Sequence, residues 1–392
     1  MKILQVHNYY RNRGGEDLVL EMEKLMLEKY GHEVIQFVAH NNEINSFSKK
    51  IKMLFNFRRS KKFDNLLFNK LTKELPDIVH FHNIYPLLTP SIFSVCKKLN
   101  IPIVQTLHNF RMMCINGLFY RNGSICEDCS YKTPYSGLFH KCYRDSYLAS
   151  FSMTDSLRYH NRKNTWNNDV DAFIVLTEFA KEKFEHYGVS NKKLFVKPNF
   201  MPDNETLRIS GNKNDYVLYV GRLSKEKGIL WLLEAWKSID VPLIIAGDGP
   251  LSSEVVNSNN PNIKYVGLLE RNQLSDLYSD ASMLVMASEW YEGFPMVIIE
   301  SLSHGVPVIV PDIGGLGDVI NDSINGYVYR SKDIDHFKNR VLSIFFDVQA
   351  QNRLSKNSEK SYKDSFSDAI NIKTLLDIYR KVIKNNANNF KD

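Results

Sequence analysis

Residues 292–300 read Glu-Gly-Phe-Pro-Met-Val-Ile-Ile-Glu and place two carboxylates eight positions apart. The Gly-Phe-Pro turn and the apolar run after it predict a loop that leads into a helix, with Pro295 at the first helical position. Glu292 would then lie just before the helix and Glu300 about two turns inside it. A helix N-terminus favours a phosphate or a dense set of hydroxyls, because it carries partial positive charge and unpaired N–H groups. Ionised carboxylates accept hydrogen bonds from sugar hydroxyls, so the stretch suits a sugar or phosphate ligand.

A second motif lies upstream, where residues 220–228 read Val-Gly-Arg-Leu-Ser-Lys-Glu-Lys-Gly between a predicted strand and a predicted helix. Gly221 permits close approach of a ligand to the backbone. Arg222 and Lys227 lie five residues apart around one turn. Arginine offers a planar fork of donors and lysine a mobile point charge, a combination that suits a diphosphate. The structural alternative is a surface loop with two basic side chains.

Short apolar runs alternate with helical stretches along the chain, which predicts parallel, doubly wound sheets. The first set of predicted strands is Ile3–Val6, Glu33–Val38, Asp77–Phe81, Ile103–Leu107 and Ala172–Leu176. A polar stretch, Pro202–Asp215, is typical of a linker. The second set is Tyr216–Val220, Leu243–Ala246, Ile263–Val266, Ser282–Met286, Val306–Val310 and Gly326–Tyr329. Two such α/β units predict two Rossmann-like domains facing a cleft, with ligands at the carboxyl ends of the strands.

Three weaker signals lie at predicted strand ends or turns. Gly14 and Gly15 precede the first helix and allow a phosphate or sugar to approach the backbone, although glycine pairs also mark ordinary turns. His108 follows the strand Ile103–Leu107 and is either a donor to a sugar hydroxyl or a structural histidine. Gly249, in a Gly-Asp-Gly-Pro sequence, predicts by itself only a tight turn.

The motifs at residues 292–300 and 220–228 resemble the E-x7-E and "VGRL..EKG" motifs of the family 4 glycosyltransferases, which are retaining, nucleotide-sugar-dependent enzymes of the GT-B fold. The resemblance implies that Arg222 and Lys227 bind the donor's phosphates. It also implies that Glu292 contacts the transferred sugar and that Glu300 binds the ribose hydroxyls. The backbone of Phe294, Pro295 and Met296 would line the sugar and the diphosphate.

The weaker motifs fit the same family. Gly14 and Gly15 resemble its N-terminal glycine loop, His108 its histidine facing the transferred sugar, and Gly249 its turn near the nucleotide base. The resemblance implies an acceptor domain at residues 1–203, a donor domain at 204–371, and a C-terminal helix at about 372–392 that packs back on the first domain.

The activity implied by the resemblance is sugar transfer from a UDP- or GDP-sugar to a saccharide or polyprenyl-linked glycan, in capsule, O-antigen or exopolysaccharide assembly. The configuration at the anomeric carbon would be kept, and no cofactor would be needed for catalysis. Two alternatives stay open, which are a sugar-nucleotide epimerase of the same fold and a non-catalytic sugar- or membrane-binding module.

Charge is uneven along the chain, and the segment from Lys49 to Lys73 holds nine basic residues and one acid, Asp64. Its interleaved apolar residues suit either an anionic membrane surface or a solvated helix packed on its own domain. No nucleic-acid recognition module accompanies the charge. No run of eighteen apolar residues and no signal peptide is evident, so we expect a cytoplasmic protein, peripheral at the inner face of the plasma membrane if the segment binds lipid.

Four of the five cysteines lie close together in the sequence: Cys114, Cys126, Cys129 and Cys142. The Cys-x2-Cys pair has zinc-ligand spacing, and a cytoplasmic setting disfavours disulfides. The alternatives are a structural zinc site and four ordinary reduced thiols. Four thiolates would leave no open coordination position, so such a zinc would not be catalytic.

Overall fold

The structure is a computed structural model that describes residues 1–11, 14–131, 133–203 and 216–388, except for the side chains of Phe47 and Tyr131. Most of the predicted linker, residues 204–215, and the last four residues of the predicted C-terminal helix lie outside the described ranges. The chain divides into two compact units. Unit 1 comprises Met1–Phe119, Cys126–Pro198 and Asn371–Asp392, and unit 2 comprises Tyr120–Ile125 and Asn199–Ile370.

The strands of the first half of the chain are β1 Lys2–Tyr9, β2 Glu33–His40, β3 Ile78–Phe81, β4 Ile103–Leu107, β5 Tyr120–Arg121, β6 Ser124–Ile125, β7 Ala172–Val175 and β8 Leu194–Val196. Six of them form the sheet of unit 1 in the order β2-β1-β3-β4-β7-β8, with every pair parallel. The remaining two, β5 and β6, form an antiparallel hairpin. Strands β3, β4 and β7 are buried along their whole length, as expected for central strands covered on both faces.

The helices around this sheet are α1 Gly15–Lys29, α2 Phe47–Phe55, α3 Lys61–Glu74, α4 Phe93–Lys98, α5 Asp128–Tyr131, α6 Tyr135–Phe139, α7 Tyr147–Arg162, α8 Thr165–Asp169 and α9 Glu178–His186. Side-chain caps fix where three of them begin, because Ser46, Ser146 and Thr177 accept hydrogen bonds from the first-turn N–H groups of α2, α7 and α9. The stretch from Lys49 to Lys73, for which a single solvated helix was one of the two readings, is divided between two helices, α2 and α3, separated by residues 56–60.

Unit 2 contains strands β9 Val217–Val220, β10 Leu243–Ala246, β11 Ile263–Gly267, β12 Met283–Val285, β13 Val308–Pro311 and β14 Gly326–Tyr329. They form a wholly parallel sheet in the order β11-β10-β9-β12-β13-β14. Its core packs apolar strand residues against Trp236, Phe337 and Leu354 from the surrounding helices. The prediction of two doubly wound parallel sheets is therefore confirmed.

The remaining helices are α10 Ile229–Trp236, α11 Ser252–Val256, α12 Arg271–Asp280, α13 Met296–Ser303, α14 Leu316–Val319, α15 Ile334–Phe345, α16 Val348–Ser365 and α17 Asp368–Asn388. From Asn371 onward α17 belongs to unit 1, where the Tyr379 hydroxyl lies 2.7 Å from Nδ1 of the buried His80. Within the described ranges, no helix is long and apolar enough to cross a membrane.

Gly228 determines how closely α10 approaches the end of β12. It immediately precedes α10 and has a left-handed φ of +69°. A Cβ atom at this position would lie 1.7 Å from the carbonyl oxygen of Ala287, two residues after the end of β12. Only glycine combines this backbone conformation with so close a contact.

We expect Gly228→Ala to lower the free energy of unfolding by more than Gly267→Ala. Gly267 also has a positive φ, +73°, but nothing lies within 4 Å of its Cβ position. Alanine at Gly267 therefore carries only the left-handed backbone penalty, about 1–2 kcal/mol, whereas at Gly228 it must also move α10 away from the Ala287 carbonyl. Urea unfolding followed by tryptophan fluorescence measures both losses, and equal losses would contradict the proposed contact.

His160 of α7 is a buried histidine held in one neutral form. Its Nε2 lies 3.0 Å from the carbonyl oxygen of Arg58, to which it donates, and its Nδ1 lies 3.0 Å from the Thr165 hydroxyl, from which it accepts. Burial lowers the pKa of His160 to about 4. The unfolded chain therefore binds this proton at higher pH than the folded chain does, since an unperturbed histidine titrates near pH 6.5.

The folded state should consequently lose stability as the pH falls from about 6.5 towards 4, and His160 should account for about 2 kcal/mol of that loss at pH 5. Unfolding free energies measured between pH 7.5 and 5 should depend less steeply on pH in His160→Gln than in the wild type. The exposed His186 supplies the control, since His186→Gln should keep the wild-type slope. An unchanged slope in His160→Gln would refute this assignment.

Candidate active site

The strand order in the sheet of unit 2 reverses between β9 and β12, which are neighbours in space but not in sequence. In a parallel sheet such a point leaves a crevice at the carboxyl ends of the two strands, where ligands bind. The loop 221–228 follows β9, and the loop 286–295 follows β12. A cavity of about 90 Å³ lies between them, lined by residues that include Gly221, Lys227, Ser288, Pro295 and Met296. Sequence motifs far apart in the chain therefore meet at one edge of one sheet.

Lys227 and Glu292 form an ion pair at this edge. The Lys227 ammonium donates to both oxygens of the Glu292 carboxylate, at 2.7 and 2.9 Å. The Ser288 hydroxyl donates to the same carboxylate at 2.6 Å, and the Glu292 side chain is 5% exposed. The Lys227 ammonium also lies 5.3 Å from the centroid of the Trp290 ring. The family resemblance assigned Lys227 to the donor's phosphates and Glu292 to its sugar. The structure pairs these two residues directly.

The start of α13 differs slightly from the predicted one. The helix begins at Met296, and Pro295 is its N-cap in an extended conformation, so the predicted placement of Pro295 at the first helical position is wrong by one residue. Glu300 is then the fifth helical residue, little more than one turn inside rather than two. The backbone of residues 294–296 nevertheless leads directly into the helix N-terminus. Phe294 is buried, with its ring centroid 6.0 Å from that of Phe366.

Glu300 lies in a poorly solvated position on α13. The Tyr278 hydroxyl donates to its carboxylate at 3.0 Å. Burial raises the pKa of Glu300, while this hydrogen bond and the charge of Arg271 oppose the rise. The carboxylate is already oriented by Tyr278, a residue that no motif had indicated. Arg222, in contrast, is exposed at the start of the loop 221–228.

Gly249 lies in a turn that packs tightly against the same loop. A Cβ atom at Gly249 would approach the Leu223 carbonyl oxygen to 2.4 Å, so a larger residue would displace the backbone. Its N–H donates to Asp248 Oδ1 at 2.7 Å, which stabilises the turn. The turn and the Arg222–Lys227 loop therefore hold each other in place.

The predicted site residues of unit 1 lie at the carboxyl edge of its own sheet. Gly14 is the N-cap of α1, Gly15 is its first residue, and the Gly14 N–H donates to Asp17 at 2.9 Å. His108 follows β4, and its Nε2 lies 3.0 Å from Nδ1 of His82. Asn109, next in the chain, donates to Glu16 at 3.4 Å, which brings the end of β4 to the start of α1.

His108 belongs to a buried polar network around Glu23 of α1, which the sequence analysis missed. His80 and His82 lie 2.9 and 3.3 Å from Glu23 Oε1, and the Lys197 ammonium lies 3.8 Å from Oε2. Burial acts to raise the pKa of Glu23, but contact with the two histidines outweighs it and holds this pKa well below its usual range. Burial lowers the pKa of His82 to about 3 and that of His108 well below its usual range. Both histidines are therefore neutral near pH 7.

The sequence did contain a pattern that could have identified Glu23 as a buried charge. It lies among Val19, Met22, Met26 and Leu27 on the apolar face of α1, where a charged residue requires a buried partner. In the described part of the chain, Glu23, His80 and His82 are also the only group of three His, Cys, Asp or Glu residues whose ligand atoms all lie within 4.8 Å of one another.

The four clustered cysteines accordingly do not form such a group. Cys114 and Cys129 are buried, whereas Cys126 and Cys142 are partly exposed. Burial raises the pKa of Cys114 and raises that of Cys129 to about 12, which favours neutral thiols in the absence of a metal. The Cys114 thiol donates to Asn116 Oδ1 at 2.9 Å. The structural zinc stays a prediction.

A larger cavity, about 380 Å³, lies elsewhere in unit 1 and is lined by residues that include Arg158, Trp166 and Tyr187. It contains none of the predicted donor-binding residues. Volume alone therefore does not identify the site, and the arrangement of charged groups at the strand ends is the better guide.

Two protein-family models match consecutive parts of the chain. The family described as "Glycosyltransferase Family 4" matches residues 14–205, and the family described as "Glycosyl transferases group 1" matches residues 204–361. An uncharacterized glycosyltransferase of Methanocaldococcus jannaschii is 24% identical over 381 residues, which cover 94% of each chain.

A second relative is UDP-Gal:alpha-D-GlcNAc-diphosphoundecaprenol alpha-1,3-galactosyltransferase of Escherichia coli. It is 29% identical over 185 residues, which cover 44% of this chain and 47% of the relative. The matched portion is therefore less than half of either protein.

Solved structures of low sequence identity share the whole fold. The sucrose-phosphate synthase of Thermosynechococcus elongatus superimposes with a TM-score of 0.71 at 17% identity and covers 98% of this chain and 100% of that one. The Anabaena protein HepE in complex with UDP and glucose gives a TM-score of 0.63 at 16% identity, with 96% and 98% covered. With both family models matched in succession and two parallel α/β units in place, the chain belongs to the family 4 glycosyltransferases and has their GT-B fold.

Proposed function

We propose that this chain is a retaining hexosyltransferase that moves a sugar from a nucleoside diphosphate sugar to a saccharide or polyprenyl-linked glycan. The observation that carries the proposal is the Lys227–Glu292 pair at the carboxyl ends of β9 and β12. A cation and an anion, partly shielded from water and beside a helix N-terminus, suit a ligand that has both a diphosphate and sugar hydroxyls.

In this proposal the donor's diphosphate binds Arg222, Lys227 and the first N–H groups of α13. Two donor directions of the Lys227 ammonium point to Glu292, which leaves a third for a phosphate oxygen. Negative charge accumulates on the diphosphate as the glycosidic bond breaks. These groups would therefore stabilise the transition state more than the ground state, which is the requirement for catalysis.

Glu300 would accept hydrogen bonds from the ribose hydroxyls, with the Tyr278 hydroxyl holding its carboxylate in position. The turn at Gly249 would lie near the base. The structural relative HepE was solved with UDP and glucose, which supports a uridine nucleotide as the first donor to test. A guanosine nucleotide remains part of the same proposal.

The remaining roles rest on the resemblance of the motifs. Glu292 would contact hydroxyls of the transferred sugar through the lone pairs that Lys227 and Ser288 leave unused. His108, neutral near pH 7, would donate to a hydroxyl of that sugar, and Gly14 and Gly15 would face the donor. A donor phosphate oxygen would accept the proton released by the acceptor.

For the acceptor, we propose a lipid-linked glycan of bacterial surface-polysaccharide assembly. The Escherichia coli relative carries a diphosphoundecaprenol-linked acceptor in its name, and a lipopolysaccharide outer core galactosyltransferase shares the fold with a TM-score of 0.63 at 18% identity. Unit 1 would bind this acceptor, and unit 2 would bind the nucleotide of the donor.

The proposal is tested by turnover of UDP- and GDP-sugars with lipid-linked and free glycan acceptors. We expect Lys227→Ala and Glu300→Gln each to reduce kcat/KM at least about 100-fold, because each removes a charged contact to the donor. Lys237→Ala, which alters an exposed lysine on the same unit, should leave turnover unchanged.

Circular dichroism would confirm that the variants fold, and NMR of the product would establish the anomeric configuration. Near-normal turnover by both Lys227→Ala and Glu300→Gln would reject the donor site. Conversion of the donor sugar without any acceptor would instead indicate an epimerase.

A further inference from the structure

Helices α6 and α7, which contact each other in unit 1, expose several large apolar side chains. Tyr147, Leu148 and Phe151 are 58%, 54% and 54% exposed, and their spacing places them on one face of the first turns of α7. Phe139, at the end of α6, is 71% exposed. Helices α6 and α7 pack against each other, and Thr154 of α7 donates to the Pro134 carbonyl before α6 at 3.1 Å. We call these four residues, Phe139, Tyr147, Leu148 and Phe151, the apolar surface.

A strongly basic stretch that includes α2 also packs against α7. Residues 47–62 include seven lysines and arginines and no acid. The Ser156 hydroxyl of α7 donates to the Phe57 carbonyl, just after α2, at 2.6 Å, and the Phe57 ring lies edge-on to Tyr143 at 5.9 Å. Helix α2 buries Met53 against unit 1 but leaves Phe55 82% exposed. We call residues 47–62 the basic segment.

Few acidic groups offset this charge. The basic segment together with residues 139–151 contains nine basic residues and one acid, Asp145. Three acids on neighbouring elements pair with this segment, since Asp155 accepts from Arg58, Asp64 accepts from Arg59 at 3.0 Å and Glu43 accepts from Lys62 at 3.4 Å. Lys141 adds a cation to the apolar surface, with its ammonium 4.6 Å from the Tyr147 ring centroid. The surface therefore combines exposed aromatic groups with an excess of mobile cations.

We propose that the apolar surface and the basic segment together bind an anionic lipid bilayer. The aromatic and aliphatic side chains would enter the interface between headgroups and acyl chains, where amphipathic aromatic groups are favoured. The lysines and arginines of α2 would contact lipid phosphates, since each cation near an anionic membrane adds to the attraction. Exposed apolar patches of this kind normally mark an interaction surface, and the charge excess selects an anionic partner.

This surface extends the membrane hypothesis from the sequence, because α6 and α7 contribute apolar residues that lie far from residues 49–73 in the chain. Helix α2 exposes three lysines, Lys49, Lys50 and Lys52, as expected if they face lipid rather than their own domain. The inference does not depend on the proposed acceptor or on catalysis. A failure of glycosyl transfer would not contradict lipid binding, and a failure of lipid binding would not contradict glycosyl transfer.

The test is sedimentation of the full chain with vesicles of pure phosphatidylcholine or of phosphatidylcholine containing phosphatidylglycerol. We expect binding to the anionic vesicles only, weakened by raising the salt from about 0.1 to about 0.5 M because salt screens the attraction. The triple variant Phe139→Ser, Leu148→Ser, Phe151→Ser should bind at least about tenfold more weakly. Its control replaces three equally exposed apolar residues of unit 2 and carries Leu268→Ser, Phe346→Ser and Val348→Ser.

A charge variant tests the second component. Lys49→Gln, Lys50→Gln and Lys52→Gln together should also weaken binding to anionic vesicles at least about tenfold, whereas Lys237→Gln, Lys264→Gln and Lys356→Gln together should not. Thermal melting confirms that each variant folds. Wild-type protein that stays in the supernatant with anionic vesicles would overturn the proposal. The surface would then have to bind a protein rather than lipid. Test variants that bind as tightly as their controls would also overturn it.

Discussion

The contact between Gly228 and the Ala287 carbonyl is the constraint on which the candidate site depends. It brings the loop after β9 against the loop after β12, at the point where the strand order of the unit 2 sheet reverses. Lys227, one residue earlier, is thereby placed within 2.7 Å of Glu292. A side chain at residue 228 would separate the two loops, and the ion pair would separate with them. The arrangement of the site therefore depends on glycine at residue 228, which has no Cβ atom.

Much of the fold was predictable because the signals are local. The strands Ile103–Leu107, Leu243–Ala246 and Gly326–Tyr329 were predicted with the bounds that the structure has, since each is a short run rich in apolar, aromatic and β-branched residues. Strand β8 was missed because it has only three residues and lies between lysines. The break between α2 and α3 was missed because basic and apolar residues continue through it, so the composition does not change.

The sequence predicted which motifs bind the donor, but not the contacts between them. Their residue types indicated a phosphate and sugar ligand, but the direct pairing of Lys227 with Glu292 joins residues 65 apart and needs the sheet order. The partners Ser288 and Tyr278 belong to no motif, because each is determined by which side chain packs beside a carboxylate. The sequence analysis also missed Glu23, although its position gave an indication. A charge on the apolar face of a helix predicts a buried partner, yet the sequence does not say that His80, His82 and Lys197 supply it.

The central claim is that separated basic and acidic motifs form one donor site at the carboxyl edge of unit 2. A crystal structure of the full chain with UDP bound tests it most directly. The account predicts a terminal phosphate within hydrogen-bonding distance of Lys227 Nζ, with the ribose hydroxyls on the Glu300 carboxylate. A nucleotide bound at another surface, with Lys227 in contact only with Glu292, would contradict it.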